Sequence, residues 1–176
     1  GEANVIERRY QQRCQDNWSC IETTPSFGGG GDIDHGVLTV ITYPYVVGPP
    51  FVEAIEDRGG WDAVDALYAD YPTSTEQVSS PSLYPDDEPT SVTVEDRSSA
   101  DWKRFEVDPV ADTVGQASIQ AMLQQNGAGS GGYQGPATEG WEGDSLVPYR
   151  NDGQYGYTWK LQWETAEDAR EFERAY

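Results

Sequence analysis

The most constraining stretch of this chain runs from Ser145 to Trp163: two alternating segments separated by Asn151-Asp152-Gly153. Such a turn supplies the positive φ angles of a tight hairpin, because glycine lacks a Cβ and Asn or Asp tolerate the left-handed region. From Tyr155 onward, Tyr155, Tyr157, Trp159, Leu161 and Trp163 fall on one side, and Gly156, Thr158, Lys160 and Gln162 on the other. A period of two over that length is a strand. Thr165-Ala166-Glu167-Asp168 then has capping-box spacing and opens a helix presenting Ala169, Phe172 and Tyr176. Each large ring gains a few kcal/mol on burial at about 25 cal/mol per Å², so the helix is expected to cover the aromatic row. These rings read as core rather than as a ligand platform. A carbohydrate-binding module, the alternative, requires several of Trp141, Trp159 and Trp163 to face solvent.

The rest of the chain is mostly helical before residue 79. Ala3, Ile6, Tyr10 and Cys14 recur at helical spacing. Residues 23–36 read as a flexible linker, since Gly28 to Gly31 lack the strand, helix and Lys-Ser/Thr context of a phosphate-binding loop. Gly36 to Val47 is apolar and β-branched, and periodicity does not separate a buried strand from a buried helix there. Pro49-Pro50 starts a helix carrying Phe51, Val52 and Ile55 and closed by Gly59-Gly60; Trp61, Val64, Leu67, Tyr68 and Tyr71 form the next. Thr73 with Glu76, and Ser74 with Gln77, both have capping-box spacing, which predicts a short helical turn. Ser91 to Glu95 alternates as a strand, Phe105 and Val107 mark another extended piece, and Val114 to Gln125 reads as a helix before a Gly-rich loop from Asn126 to Gly135.

The expected fold class is therefore α+β: a helical N-terminal half plus a small antiparallel sheet or hairpin with a C-terminal helix. Its parts are 1–78 (mainly helical), 79–135 (a loop-rich connection) and 136–176 (hairpin plus helix), forming a single domain or a fragment of a longer protein. The chain begins and ends inside helical patterns without an initiating Met, which favours the fragment reading.

Thirty-one acidic residues stand against 11 basic ones, a net charge of −20. Nucleic-acid binding by phosphate neutralisation is excluded on that balance. No apolar run reaches the roughly 18–20 residues of a membrane span. The acids are spread along the chain, and Arg replaces Lys almost throughout; only Lys103 and Lys160 remain. In multimolar salt, where the Debye length is about 3 Å or less, such a surface is screened and stays hydrated. We read it as salt adaptation, with an ordinary acidic protein as the alternative.

Cys14 and Cys20 have neither zinc-site spacing nor a second Cys/His cluster. A local disulfide, worth about 2 kcal/mol by loop entropy, implies an oxidising, secreted or cell-surface location; two separate thiols are the alternative. The single His35 lies in a Gly-rich segment, and with so many acids a carboxylate pair suited to glycosidase chemistry is a cheap coincidence. Asp86-Asp87-Glu88 and Asp32-Ile33-Asp34-His35 read as solvated loops. The residues themselves offer no catalytic constellation, no metal site and no cofactor site.

Three stretches together resemble a known family. They are Gly1-Glu2-Ala3-Asn4 through Tyr10 with Cys14 and Trp18-Ser19-Cys20; Phe51-Val52 through Arg58-Gly59-Gly60-Trp61 to Pro72-Thr73-Ser74-Thr75-Glu76-Gln77-Val78; and Gly140-Trp141-Glu142-Gly143-Asp144 with Trp159 to Trp163 and the Glu167-Asp168-Ala169 helix. This is similar to the C-terminal half of a family of haloarchaeal surface proteins related to gluzincin-type zinc metallopeptidases. The resemblance implies that a His-Glu-x-x-His helix and a third zinc-ligand Glu lie ahead of Gly1, and that Glu2 is not a ligand. It marks Thr75, Glu76, Gln77 and Ser80 as family-motif positions of unknown role, with Ser80 where the family has His. That replacement implies an inactive homologue, with zinc confined to a full-length parent.

The function expected is a secreted, salt-adapted surface protein, non-catalytic as given and of metallopeptidase-like ancestry, with self-association or a cell-envelope partner. The alternatives are the substrate-side part of an active zinc metallopeptidase and a self-assembling or carbohydrate-binding surface module.

Overall fold

At the hairpin tip Asp152 and Gly153 both adopt positive φ, 40° and 83°, and Asn151 pairs with Gln154. This is the two-residue turn whose twist matches that of the flanking strands. The computed structural model describes residues 1–16, 18–21, 33–128 and 132–176. Strand β2 (Trp141–Asn151) runs antiparallel to β3 (Gln154–Trp163), and the short β1 (Lys103–Arg104) pairs with the outer edge of β2. Helix α6 (Ala166–Ala175) follows, its box closed by Thr165 Oγ1 accepting the Asp168 N–H while an Asp168 carboxylate oxygen accepts the Thr165 N–H.

The aromatic row divides into a covered and an open half. Phe172 on α6 packs edge-on to Trp159 at 5.8 Å and against Trp163 at 5.2 Å. Tyr155 and Tyr157 remain 76% and 56% exposed. Length explains this: a ten-residue helix spans about 15 Å, whereas ten strand residues span about 33 Å. Tyr176 hydrogen-bonds the Tyr157 hydroxyl at the helix end, and Tyr155 stacks on Phe105.

The other sheet face is crossed by residues 88–102. Thr90 donates its N–H to the Glu142 carbonyl, Arg97 donates its N–H to the Tyr149 hydroxyl, and Trp102 lies over Gly156. The expected strand Ser91–Glu95 does not form. Val92 and Val94 do alternate inward, but the segment runs over the face of the sheet, where no strand edge is available for pairing.

Among the described residues the remainder holds five α-helices: α1 (Glu2–Asp16), α2 (His35–Val46), α3 (Gly48–Ala66), α4 (Thr75–Ser79) and α5 (Gly115–Gln125). Gly59 and Gly60 break α3 as expected, Gly60 with φ of 69°. Val5, Phe51, Val52, Ile55 and Val64 form one core cluster. The face expected for α1 needs correction: Ile6 is exposed, while Val5 is buried. The helix meets α3 along Val5, Arg8 and Arg9, with Arg9 bidentate on Glu56 and Arg8 paired with Glu53. Ion pairs thus replace part of the apolar stripe. The Cys14–Cys20 disulfide closes the loop after α1.

The ambiguous segment Gly36–Val47 is helical. Asp34 caps it, accepting the Gly36 and Val37 N–H groups. The cap consumes the end of the expected linker, of which residues 23–32, including Gly28 to Gly31, lie outside the described residues. The helix is not buried: Tyr43 is, whereas Val37, Leu38, Ile41 and Tyr45 are exposed. Residues 129–131 of the second Gly-rich loop also lie outside the described residues.

A second core cluster unites Ile119 and Leu123 of α5 with Trp141 and Phe172. Asp144 ties these parts together through hydrogen bonds from α5 and from two indoles. Among the described residues no helix is long and apolar enough to cross a membrane.

Candidate functional site

Ser74 caps α4 by accepting the Gln77 N–H at 3.1 Å. This five-residue helix is held from every side. The Thr75 carbonyl accepts the Tyr43 hydroxyl at 2.6 Å, and Thr75 Oγ1 accepts the Ala117 N–H at the start of α5. Gln77, 1% exposed, accepts the Thr73 N–H and donates to the Asp87 carbonyl at 2.8 Å. Its amide therefore clamps the chain on both sides of α4. Thr75 and Gln77 are positioning residues.

The residue between them faces a cleft of about 450 Å³, lined by Glu76, Ser80, Gln116, Gln134, Glu139 and Glu164 among others. Glu76 is 4% exposed. Gln116 Nε2 donates to Glu76 Oε1 at 3.3 Å and to the Thr138 carbonyl at 3.0 Å. Burial, reinforced by the nearby Asp87 and Glu164 charges, pushes the Glu76 carboxyl up to about 8. The Gly140 and Trp141 backbone N–H groups pull the other way and do not prevail. A buried carboxyl beside like charges keeps its proton to a higher pH because ionisation there is poorly solvated.

Glu164, on the link from β3 to α6, is raised as well, first by partial burial and then by Asp87, Asp168, Glu142 and Glu139. Tyr43 is raised by burial, with a contribution from Glu76. Ser80 accepts Gln134 Nε2 at 2.6 Å, which draws the chain before β2 over the cleft. Gly140 has φ of 67°, and a Cβ there would run into the Asp168 carboxylate. Only glycine brings its N–H to Glu76 while leaving the α6 cap intact.

Thr75, Glu76, Gln77 and Ser80 thus come together, Glu76 and Ser80 in the cleft and the other two behind it. Sequence reading missed Gln116, Gln134, Glu139, Gly140 and Glu164. A signal for Gln116 was present: polar Gln116 and Gln120 sit four apart on the inner face of α5, both 2% exposed. Outside the cleft, His35 meets Gln125 at the α2–α5 contact. Asp87 approaches Glu76, whereas Asp86 and Glu88 are exposed. Among the described residues, no group of three or more His, Cys, Asp or Glu side chains is placed to hold a metal ion.

Residues 103–176 match a family described as a domain of unknown function (DUF8575). The matched part runs from β1 through α6, so it contains Gln116, Gln134, Glu139, Gly140 and Glu164 of the cleft but not Glu76 or Ser80. Comparison with curated proteins and with solved structures gives no match.

Proposed function

We propose that this chain is a salt-adapted, extracellular surface protein of metallopeptidase-like ancestry that acts by binding, and that its ligand enters the cleft above Glu76. The observation that carries this reading is a carboxyl 4% exposed at the floor of a cleft of about 450 Å³. Protein interiors are close-packed, and a space of this size with convergent polar groups is how small-molecule sites are built. The disulfide supports an oxidising location. The charge of −20 supports a salty one. Ser80, at the position where the resembled family has His, supports binding without hydrolysis. A cell-envelope component, or a second copy of the chain, is the partner this reading expects.

The test is a fragment screen by ¹⁵N NMR on the folded protein in multimolar KCl. Binding should shift the Gly140 and Trp141 amides first. Shifts scattered over the surface, or none, would overturn the reading. A second reading, the substrate-side part of an active zinc metallopeptidase, is favoured by two of the family-motif positions, Glu76 and Ser80, lining the cleft. It expects stoichiometric zinc in a protein that carries His-Glu-x-x-His ahead of this chain, and metal analysis decides it.

A further inference from the structure

We infer that the cleft takes an organic cation, a primary ammonium or guanidinium on an aliphatic stem such as a lysine or arginine side chain presents. This rests on the preceding reading that the cleft binds a ligand, and adds its chemical class.

The hydrogen-bond inventory points to a donor as ligand. Of the two amide groups that line the cleft, Gln116 uses both N–H atoms, on Glu76 and Thr138, and Gln134 gives one to Ser80. Among the described residues the lining contains three carboxyl side chains, Glu76, Glu139 and Glu164, and no Lys, Arg or His. What remains is rich in acceptors, since a carboxylate offers about four lone-pair sites. An anion is repelled there, and a neutral polyol leaves the charges unpaired. Leu83 and Pro136 also line the space, giving a stem apolar surface while its head meets carboxylates.

The electrostatics agree. Glu76 and Glu164 each hold their protons more tightly, first because of burial and then because of neighbouring carboxylates, with no basic group among the causes. The charged groups facing Glu76 from the packed elements are Asp87 and Glu164; the ionisable Tyr43 stands behind it, and Asp168, Glu142 and Glu139 surround Glu164. A cation placed among them favours the ionised carboxylates, so its binding releases a proton and strengthens as pH rises toward 8 and beyond.

The experiment is an NMR titration in multimolar KCl with three probes: agmatine, cadaverine and the neutral 1,5-pentanediol. Agmatine or cadaverine is expected to shift the Gly140 and Trp141 amides, while pentanediol leaves them in place. Glu164→Gln, in the cleft wall, should weaken the cationic probe about 3- to 10-fold, the effect of losing one charge-assisted contact. Glu173→Gln, the same charge change on an exposed part of α6, should leave it unaltered. Pentanediol binding as well as cadaverine, or a Glu164→Gln variant no weaker than Glu173→Gln, overturns the cation while the cleft stands. If no probe moves the two amides, the binding cleft falls too.

Discussion

Asp144 Oδ1 accepts the indole N–H of Trp159 at 3.1 Å, across the hairpin from its own strand. The same carboxylate accepts the Trp141 indole N–H at 3.1 Å and the Val114 and Gly115 backbone N–H groups, both at 2.8 Å. One side chain, 4% exposed, thereby joins both hairpin strands to the first turn of α5. A negative charge at a helix N-terminus adds to the hydrogen bonds.

Removing it strands four donors in the interior. Asp144→Ala is expected to cost about 3–5 kcal/mol, the range for breaking a buried charged network from one side. Asp144→Asn keeps one acceptor oxygen and should cost less. Urea unfolding in high salt, followed through tryptophan fluorescence, measures both; an alanine variant within about 1 kcal/mol of the wild type would contradict the assignment.

That network also marks where sequence reading stops. The hairpin, its turn and the capped α6 were legible because each is local: alternation, Asp-Gly and a Thr-to-Asp spacing act within a few residues. The short helix at Ser74 was legible for the same reason. The cleft was not, because Glu76 meets Gln116, Gly140 and Glu164 across long sequence separations that no local spacing encodes. The strand expected at Ser91 had the correct alternation but lacked a partner edge, which is a property of the whole sheet. Likewise, the apolar pattern of α2 says nothing about what packs on it, and much of that helix faces solvent.

Glu76 makes stability depend on pH in an unusual direction. Its folded value of about 8 lies above the 4.5 of an unperturbed glutamate. The folded state therefore binds the extra proton between those values, and the contribution is fully present below about pH 4.5 and lost as pH rises through 8. The limiting slope is about 1.4 kcal/mol per pH unit, for a total on the order of a few kcal/mol. Glu76→Gln mimics the protonated form and should remove this slope, so that it exceeds the wild type in stability at pH 9 and matches it near pH 5. Parallel stability profiles for the two proteins would show that Glu76 ionises as an ordinary surface acid.

The bond between Cys14 and Cys20 closes a short loop beyond α1, where Tyr10 packs edge-on to Trp18 and its hydroxyl accepts the Ile21 N–H. Opening it by Cys14→Ser with Cys20→Ser should cost about 2 kcal/mol, mainly by freeing the unfolded chain. Alkylation of the untreated protein should add no mass. Two labelled thiols would remove the disulfide and its support for an exported location.

The last expectation concerns salt. The described residues contain six ion pairs, most between partly exposed side chains, against a net charge of −20. Exposed pairs contribute little each, so repulsion among carboxylates dominates the surface and opposes the compact state at low ionic strength. Screening removes that repulsion. Stability should therefore rise from low to multimolar KCl or NaCl, and each gain of about 2 kcal/mol should lift Tm by roughly 4–8 °C in a chain of this size. Thermal melts across a salt series measure it, with sucrose at equal osmolality as the control, because an excluded osmolyte strengthens burial without screening charge. Sucrose matching salt would place the effect in the core instead of the acidic surface, and a Tm that falls with salt would contradict salt adaptation outright.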